Sequence, residues 1–597
     1  MPPYRRFLVC AVAALSAYGA AGPGRAQSPG VIDNGQVGKR LDEYAQSASA
    51  LGFSGTLLVA RGHEVLLHKG WGWADRERRI ANNTQTAYYI ASLSKQFTAA
   101  AVLRLEADGK LRTSDTIGVH LKGVPPDKTA ITIHQLLTHT SGLPRFGWND
   151  EKRDWRVMGR DAAVTGILQS KLLHEPGRKF AYENSNFVLL AAIVEEVAGA
   201  SFQSFVRDRL LRPAGIHFAR FGTDTVESGL ANVAVAHSDG LPNPSYFKRP
   251  KSWLRVGGGD MVLTVGDLYR WHLALVDGKV LPPSQRAKLF AMQTIIEPGY
   301  GYSYGWWIRQ SARGTRVIFH GGDFDGYHCE FRWYPDSDLI LIVATNNEFH
   351  DASLAEPLLN HVAAIVKGEP SPLPRLLTLG KGELRRYAGR YDLDSGGWLT
   401  VSVRDAVLEI EAAEPTAAVV LADGNPAGAK DRQADGEHTL SLIARVKKRQ
   451  RGAYADVLGS SVRSREAEFD QEWQTLADRL GRLRSYQLLS TVSRRVQGVS
   501  ISYVRLNFVR GSIVMGYAWK GGKLQYTLPD TKPEPGRVVF APLTAAEFIS
   551  FDWRSEEFLK AYFERDETGA ITALRMSGGR REVTVLKRRD IRKRRAV

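Results

Sequence analysis

Alternating and helical hydrophobic patterns follow one another along this chain in an order that few folds accept. Between residues 38 and 367, strand-like runs stand at both ends and helix-like runs fill the middle. The spacing predicts a short helix over 40–51, then a strand pair over 55–60 and 65–68. Helices are predicted at 92–107, 159–173, 185–198 and 201–211. Strands return at 315–320, 327–334 and 339–345, and a helix closes the unit at 354–366. Strands at both ends of a unit must find hydrogen-bond partners across it. The pattern therefore predicts an α/β (α+β) fold: one antiparallel sheet flanked by helices, a mostly helical subdomain, and a cleft between them.

A length of 597 residues implies two to four domains. A Pro-containing linker, 368–382, follows the first unit, and a cut near Glu369 is expected to leave that unit folded. The texture then becomes β-rich. Leu399-Thr400-Val401-Ser402-Val403 and Val407-Leu408-Glu409-Ile410 alternate like a hairpin. Residues 383–424 and 536–590 are expected to form one β module, split by an inserted α+β module at 425–535. The insertion carries one amphipathic helix at 466–483, then strands including 499–509 and 512–519. A basic tail, 591–597, ends the chain.

Three short motifs carry the chemistry: Ser92-Leu93-Ser94-Lys95, Tyr182-Glu183-Asn184 and His320-Gly321-Gly322. Ser92 and Lys95 lie three apart at the start of a predicted helix, so both side chains share a face and the ammonium can sit one turn from the hydroxyl. A helix N-terminus beside Ser92 favours a developing oxyanion. Burial in the small, apolar run 97–103 would depress the Lys95 pKa and make the amine a base. Ser-x-x-Lys alone is weak, since ordinary composition gives roughly two chance matches in this length. One decoy is present, Ser245-Tyr246-Phe247-Lys248, in a loop-like stretch. A lone Tyr182 or His320 reads more simply as core. Together and in order, the motifs supply a hydroxyl nucleophile, two proton carriers and a Gly-rich strand, the parts of acyl transfer through a covalent serine intermediate.

Other catalytic schemes lack their residues. There is no His-Glu-x-x-His, since His68 lies one residue too far from His63-Glu64. No P-loop or Cys-x-x-Cys occurs, so neither metal nor cofactor is indicated.

The chain resembles the serine hydrolases that include class C β-lactamases, low-molecular-weight penicillin-binding proteins, D-aminopeptidases and related esterases. The resemblance spans roughly residues 38–367. It rests on the segments around Ser92, Tyr182 and His320, on Leu136-Leu137-Thr138-His139-Thr140-Ser141-Gly142-Leu143, and on Gly257-Gly258-Gly259-Asp260-Met261. It implies Ser92 as nucleophile, Lys95 as its proton partner, and Tyr182 as general base and then acid. Asn184 is implied to orient the substrate amide or Lys95. The backbone N–H groups of Ser92 and Asp323 would form the oxyanion hole, with Gly322 beside them. His320 stands where true β-lactamases carry Lys-Thr-Gly, which puts a titratable imidazole in place of a fixed cation. The implied substrate is a small amide or ester, either a D-amino-acid peptide or a carboxylic ester. The alternative is a non-hydrolytic penicillin-binding sensor or scaffold, against which the three intact catalytic side chains argue. Tyr387-Ala388-Gly389-Arg390-Tyr391 resembles the start of the lipocalin-like C-terminal domain of many relatives.

Arg5-Arg6, the apolar stretch 7–21 and the small residues Gly24 and Ala26 read as a secretory signal, 1–26, cleaved before Gln27. The expectation is a secreted protein, periplasmic in a Gram-negative cell, with no membrane span. Removal would leave Cys329 as the sole cysteine, so no intrachain disulfide forms. The net charge is +17, and the last 158 residues hold 31 Lys/Arg against 17 Asp/Glu. A solvated basic tail is the plain reading, and an anionic cell-envelope surface the sharper one. Nucleic acid as a partner would contradict export. The sequence leaves the oligomeric state open.

Overall fold

The computed structural model describes residues 32–588 apart from 34, 150–153, 223–231, 239–240, 243–249, 312–313, 325, 349–353, 394–397, 413–429, 449–452, 459–465, 495–498, 529–536, 553–556 and 579–583. The signal segment, the basic tail and the decoy at 245–248 lie outside the described residues.

The two ends of the first unit meet in one nine-stranded antiparallel sheet. Its main elements are α1 (Gly35–Ala50), β1 (Gly55–Arg61), β2 (Glu64–Trp71), α2 (Ser94–Ala107), α3 (Asn184–Ala198) and α4 (Val265–Val276). Then come β3 (Thr294–Glu297), β4 (Tyr300–Tyr302), β5 (Trp307–Gln310), β6 (Arg316–Phe324), β7 (Tyr327–Tyr334), β8 (Leu339–Thr345) and α5 (Ala355–Val366). The sheet order is Ile32–Asp33, β2, β1, β8, β7, β6, β5, β4, β3. Register follows the strand period of two. Leu58, Ala60, Ile340 and Ile342 face the helical subdomain, and Leu57, Val59, Leu339 and Leu341 face α1 and α5. The continuous apolar run of β8 is buried along its whole length because both faces are covered.

The nucleophile region differs from the expected single helix. Ala91–Leu93 is a 3₁₀ turn, and the α-helix begins only at Ser94. Ala91 has φ +44°, a left-handed conformation costly for a residue with a Cβ, and it lifts Ser92 out of the helix. From Ser94 to Leu103 every residue of α2 is buried, as in a helix enclosed on all sides. The helix expected over 159–173 stops at Gln169, because the chain beyond it bonds to another loop, Leu173 N–H to Gly142 O at 2.8 Å. The expected 201–211 helix is α-helical only over Phe202–Val206 and passes into a wider π turn.

Beyond the linker, β9 (Gly389–Asp392), β10 (Trp398–Arg404) and β11 (Val407–Ala412) belong to a closed eight-stranded antiparallel barrel. The inserted segment holds α6 (Lys430–Lys447), α7 (Glu466–Leu480), β12 (Leu483–Arg494), β13 (Val499–Phe508), β14 (Gly511–Lys520) and β15 (Lys523–Leu528). These four strands form their own sheet. Two helices, not the expected one, share a core with it, through Leu442 and Ile443 of α6 and Phe469 and Trp473 of α7. The barrel resumes with β16 (Arg537–Pro542), β17 (Glu547–Asp552), β18 (Glu557–Arg565), β19 (Ile571–Gly578) and β20 (Thr584–Arg588), and β20 closes on β9. Among the described residues no single helix is long and apolar enough to cross a membrane.

The barrel docks on the sheet face opposite Ser92. Ala541, Ile549 and Phe551 join the hydrophobic cluster of α1 and α5. Tyr44 Oη lies 2.9 Å from His361 Nδ1, whose ring is 6.1 Å from that of Phe551. Leu377 N–H donates to Pro542 O at 2.8 Å. The unit boundary near Glu369 therefore crosses a shared apolar cluster, against the expectation that a cut there leaves a complete fold.

Candidate active site

Ser92 sits on a turn held from several sides. Leu93 N–H donates to Ile90 O at 3.1 Å, and Ile90 N–H donates to Met261 O at 3.0 Å. Met261 N–H in turn reaches Ser94 Oγ at 3.2 Å. Strand β6 runs hard against this turn: a Cβ at Gly322 would lie 2.1 Å from Ile90 O and 3.0 Å from Leu93 Cδ1. Gly322 is thus required for strand and nucleophile turn to meet.

Lys95 is fully buried, while Ser92 keeps partial exposure. Lys95 Nζ lies 3.0 Å from Ser92 Oγ, 2.6 Å from Asn184 Oδ1 and 2.7 Å from Gly258 O. Two of these partners are carbonyl oxygens, which only accept. An uncharged amine has two N–H bonds, and the two carbonyls take both, leaving its lone pair for Ser92 Oγ. Burial, reinforced by the Arg145 guanidinium and opposed by Glu183, brings the Lys95 pKa down to about 7.

The Gly258 carbonyl is held by its own neighbours. Thr98 Oγ1 donates to Gly257 O at 2.7 Å. Gly257 has φ +76°, and a Cβ there would meet Phe187 O at 2.5 Å, so only glycine carries the loop between α2 and α3. Asn184 begins α3, which points its side chain at Lys95.

Tyr182 stands over the same ammonium, with Lys95 Nζ 4.9 Å from its ring centroid. Its ring is partly exposed, but its hydroxyl is buried and makes no hydrogen bond of normal geometry among the described residues. Burial raises the phenol pKa, and the Ser92 hydroxyl is the largest influence in the opposite direction. Burial thus favours the neutral phenol, while Lys95 Nζ stands 3.0 Å from Ser92 Oγ with its charged form disfavoured.

His320 projects from β6 into the same space, its ring 6.0 Å from Tyr182. Its Nδ1 lies 2.6 Å from Gly321 O, which fixes the proton there, so Nε2 accepts from Tyr302 Oη at 3.2 Å. Burial first, then Lys95, lower its pKa to about 3. Burial therefore disfavours the imidazolium, and His320 supplies no fixed cation to the cleft. Asp323 follows Gly322 on β6. Strand alternation turns its carboxylate to the far face, where Oδ1 meets His328 Nδ1 at 2.6 Å.

The structure thus gathers Ser92, Lys95, Tyr182, Asn184, His320 and Gly322, and adds residues that the sequence left without a role. Trp307 stacks on Tyr182 at 5.8 Å and on Tyr300 at 5.4 Å. Tyr302 lies edge-on to Trp307 at 4.8 Å. An ion pair, Arg145 Nε to Glu183 Oε2 at 3.2 Å, borders the tyrosine. His139 underlies it, 4.3 Å from ring to ring. The motif containing His139 and the glycine run were visible in sequence. Tyr302 and Trp307 were not, because their short strands carry no clear period. Among the described residues no group of three or more His, Cys, Asp or Glu is placed to hold a metal ion.

The family model for Beta-lactamase matches residues 39–364. The chain belongs to the beta-lactamase family. Its members are serine hydrolases, and the Ser92–Lys95 arrangement falls within the matched span. Among relatives, penicillin-binding protein 4* of Bacillus subtilis is 27% identical over 382 residues, covering 60% of this chain and 84% of that protein. The putative penicillin-binding protein PbpX of Bacillus subtilis is 32% identical over 266 residues, covering 45% of this chain and 64% of that protein. The solved octameric penicillin-binding protein homologue from Pyrococcus abyssi aligns over 92% of this chain and all of that one, with TM-score 0.50 and 17% identity. That likeness is one of fold, and it extends into the C-terminal half.

Proposed function

We propose that this protein hydrolyses a small amide or ester through an acyl-enzyme on Ser92. The observation that carries the reading is the fixed amine: Lys95 Nζ held by Asn184 Oδ1 and Gly258 O, with its remaining position on Ser92 Oγ. Lys95 takes the serine proton as Oγ attacks the carbonyl carbon. The N–H groups of Ser92 and Asp323 receive the oxyanion. Tyr182, a neutral phenol above Lys95, gives its proton to the leaving nitrogen or oxygen as that bond breaks and is reprotonated by the lysine ammonium. Water then attacks the ester by the reverse proton path, releasing the acid and free Ser92.

A neutral His320 offers no charge to a substrate carboxylate. This favours an ester or an amide with an uncharged acyl part, such as a carboxylic ester or a D-amino-acid amide, over a carboxylate-terminated peptide or a β-lactam. The N-terminal pattern around 5–26 supports export, which Edman sequencing of protein recovered outside the cytoplasm tests by a start at Gln27.

Intact-mass spectrometry after exposure to a fluorophosphonate and, separately, to a penicillin tests the reading. One adduct per chain, absent from Ser92→Ala, is the expected result with the fluorophosphonate. An adduct with penicillin but no ester turnover would favour the sensor or scaffold, and no adduct from folded protein would remove the acyl-enzyme.

A further inference from the structure

His139 is fully buried, and its backbone is left-handed at φ +56°, a conformation uncommon for residues other than glycine. Its Nδ1 faces two donors, Glu183 N–H at 3.2 Å and Asn186 Nδ2 at 3.1 Å. A nitrogen that accepts from two N–H groups carries no proton, so the ring is the Nε2–H tautomer, and Nε2 meets no hydrogen-bond partner among the described residues. Its carbonyl accepts from Ala181 N–H at 2.8 Å. One residue therefore holds the chain on both sides of Tyr182, by its carbonyl before the tyrosine and by its imidazole after it. The ring itself lies 4.3 Å beneath Tyr182. Asn186, the second donor, is oriented by Ser141 Oγ, which donates to its Oδ1, and stands one half-turn along α3 from Asn184.

We infer that His139 is the positioning residue of this site: a neutral acceptor that sets Tyr182 and Asn184 against Ser92 and Lys95. The inference rests on the acyl-enzyme reading above. The imidazole exchanges no proton with substrate, and its work is done by Nδ1. Without that acceptor, Glu183 N–H loses its partner and the Asn186 amide keeps only Glu183 O at 3.2 Å, so the segment 181–184 must shift to satisfy them.

The test compares full-length wild type, His139→Asn and His139→Phe. Asparagine keeps an acceptor near the Nδ1 position and tolerates the left-handed backbone, whereas phenylalanine keeps the ring and loses the acceptor. Turnover of a p-nitrophenyl ester is measured per active site titrated by fluorophosphonate, with kcat and KM separated across pH. The phenylalanine variant is expected to lose about 10–100-fold in kcat with little change in KM, as for displaced catalytic groups. The asparagine variant is expected to stay within about threefold of wild type, with its pH profile unmoved, because only the acceptor matters. Full kcat in a folded phenylalanine variant, or a loss beyond about tenfold in the asparagine variant, overturns the inference. If phenylalanine prevents folding, the asparagine result decides alone. A wild type that forms no Ser92 adduct removes the acyl-enzyme reading, and the inference with it, whereas an intact wild type with insensitive variants removes the inference only.

Discussion

The sharpest consequence of the site concerns pH. Lys95 falls from 10.5 to about 7, which disfavours its charged form by about 5 kcal/mol, and burial is the leading cause. If the free amine is the base, acylation depends on the fraction of Lys95 without its third proton. The rate of ester acylation should then rise about tenfold per pH unit below the Lys95 pKa and level off above it, so that about one site in ten reacts at pH 6. A phenolate base would behave otherwise: burial raises the Tyr182 pKa, so its limb would still be climbing in alkaline solution. Stopped-flow mixing with a p-nitrophenyl ester, with Ser92→Ala subtracting background, separates the two. Neighbouring charges give a second check with opposite signs. Arg145 lowers the Lys95 pKa and Glu183 raises it, so Arg145→Ala should move the limb to higher pH and Glu183→Gln to lower pH. A rate flat down to pH 5, or a limb that ignores both substitutions, refutes Lys95 as the base. Stability follows the same linkage. The unfolded chain holds the proton that folded Lys95 has shed between about pH 7 and 10.5, so the contribution of Lys95 to stability rises with pH across that window. Chemical denaturation of wild type and Lys95→Met at several pH values reads the difference.

Tyr182→Phe should lower ester turnover by about 10²–10⁴-fold. It should leave fluorophosphonate labelling of Ser92 in place, since fluoride departs without an acid, and equal losses in both assays would mean a collapsed site. Gly322→Ala puts a Cβ 2.1 Å from Ile90 O, backbone against backbone. A loss of about 1–3 kcal/mol in stability together with Ser92 labelling is expected, read by thermal melting and intact mass. Cutting the chain after Glu369 strips Ile549 and Phe551 from the cluster on α1 and α5. Each contributes about 1.5–3 kcal/mol of burial, so the fragment should aggregate or melt well below the full chain by size-exclusion chromatography and circular dichroism.

What the sequence made legible has a physical pattern. Ser92, Lys95 and Tyr182 were readable because their side chains carry the chemistry and their spacing carries the geometry. The strands 327–334 and 339–345 were readable because period and burial coincide there, β8 being buried from end to end. β3, by contrast, alternates only between half-buried and exposed positions, so 294–310 left no trace and took Tyr302 and Trp307 with it. Helix α4, absent from the predicted elements, has a legible start in its Thr264–Asp267 capping box. Helix α6 is mostly polar, and its buried stripe of Leu442, Ile443 and Val446 is too short to mark eighteen residues as helix.

The least legible parts of the site are those that set its charge. Gly258 acts through a carbonyl, and a carbonyl has no residue type. The neutrality of His320 comes from burial against Tyr302 and Lys95, and its Nδ1 proton is fixed by the carbonyl of Gly321. His139 is neutral for the parallel reason that two amides face its Nδ1. In each case the decisive partner is backbone or a group distant in sequence, and its effect is a protonation state. The motifs name the nucleophile and the proton carriers. Tertiary packing decides which of them is charged at neutral pH, and so which way the protons move. With both imidazoles neutral, the proposed path passes protons among Ser92, Lys95 and Tyr182 alone: the serine proton to the amine, the phenol proton to the leaving group, and the ammonium proton back to the phenolate.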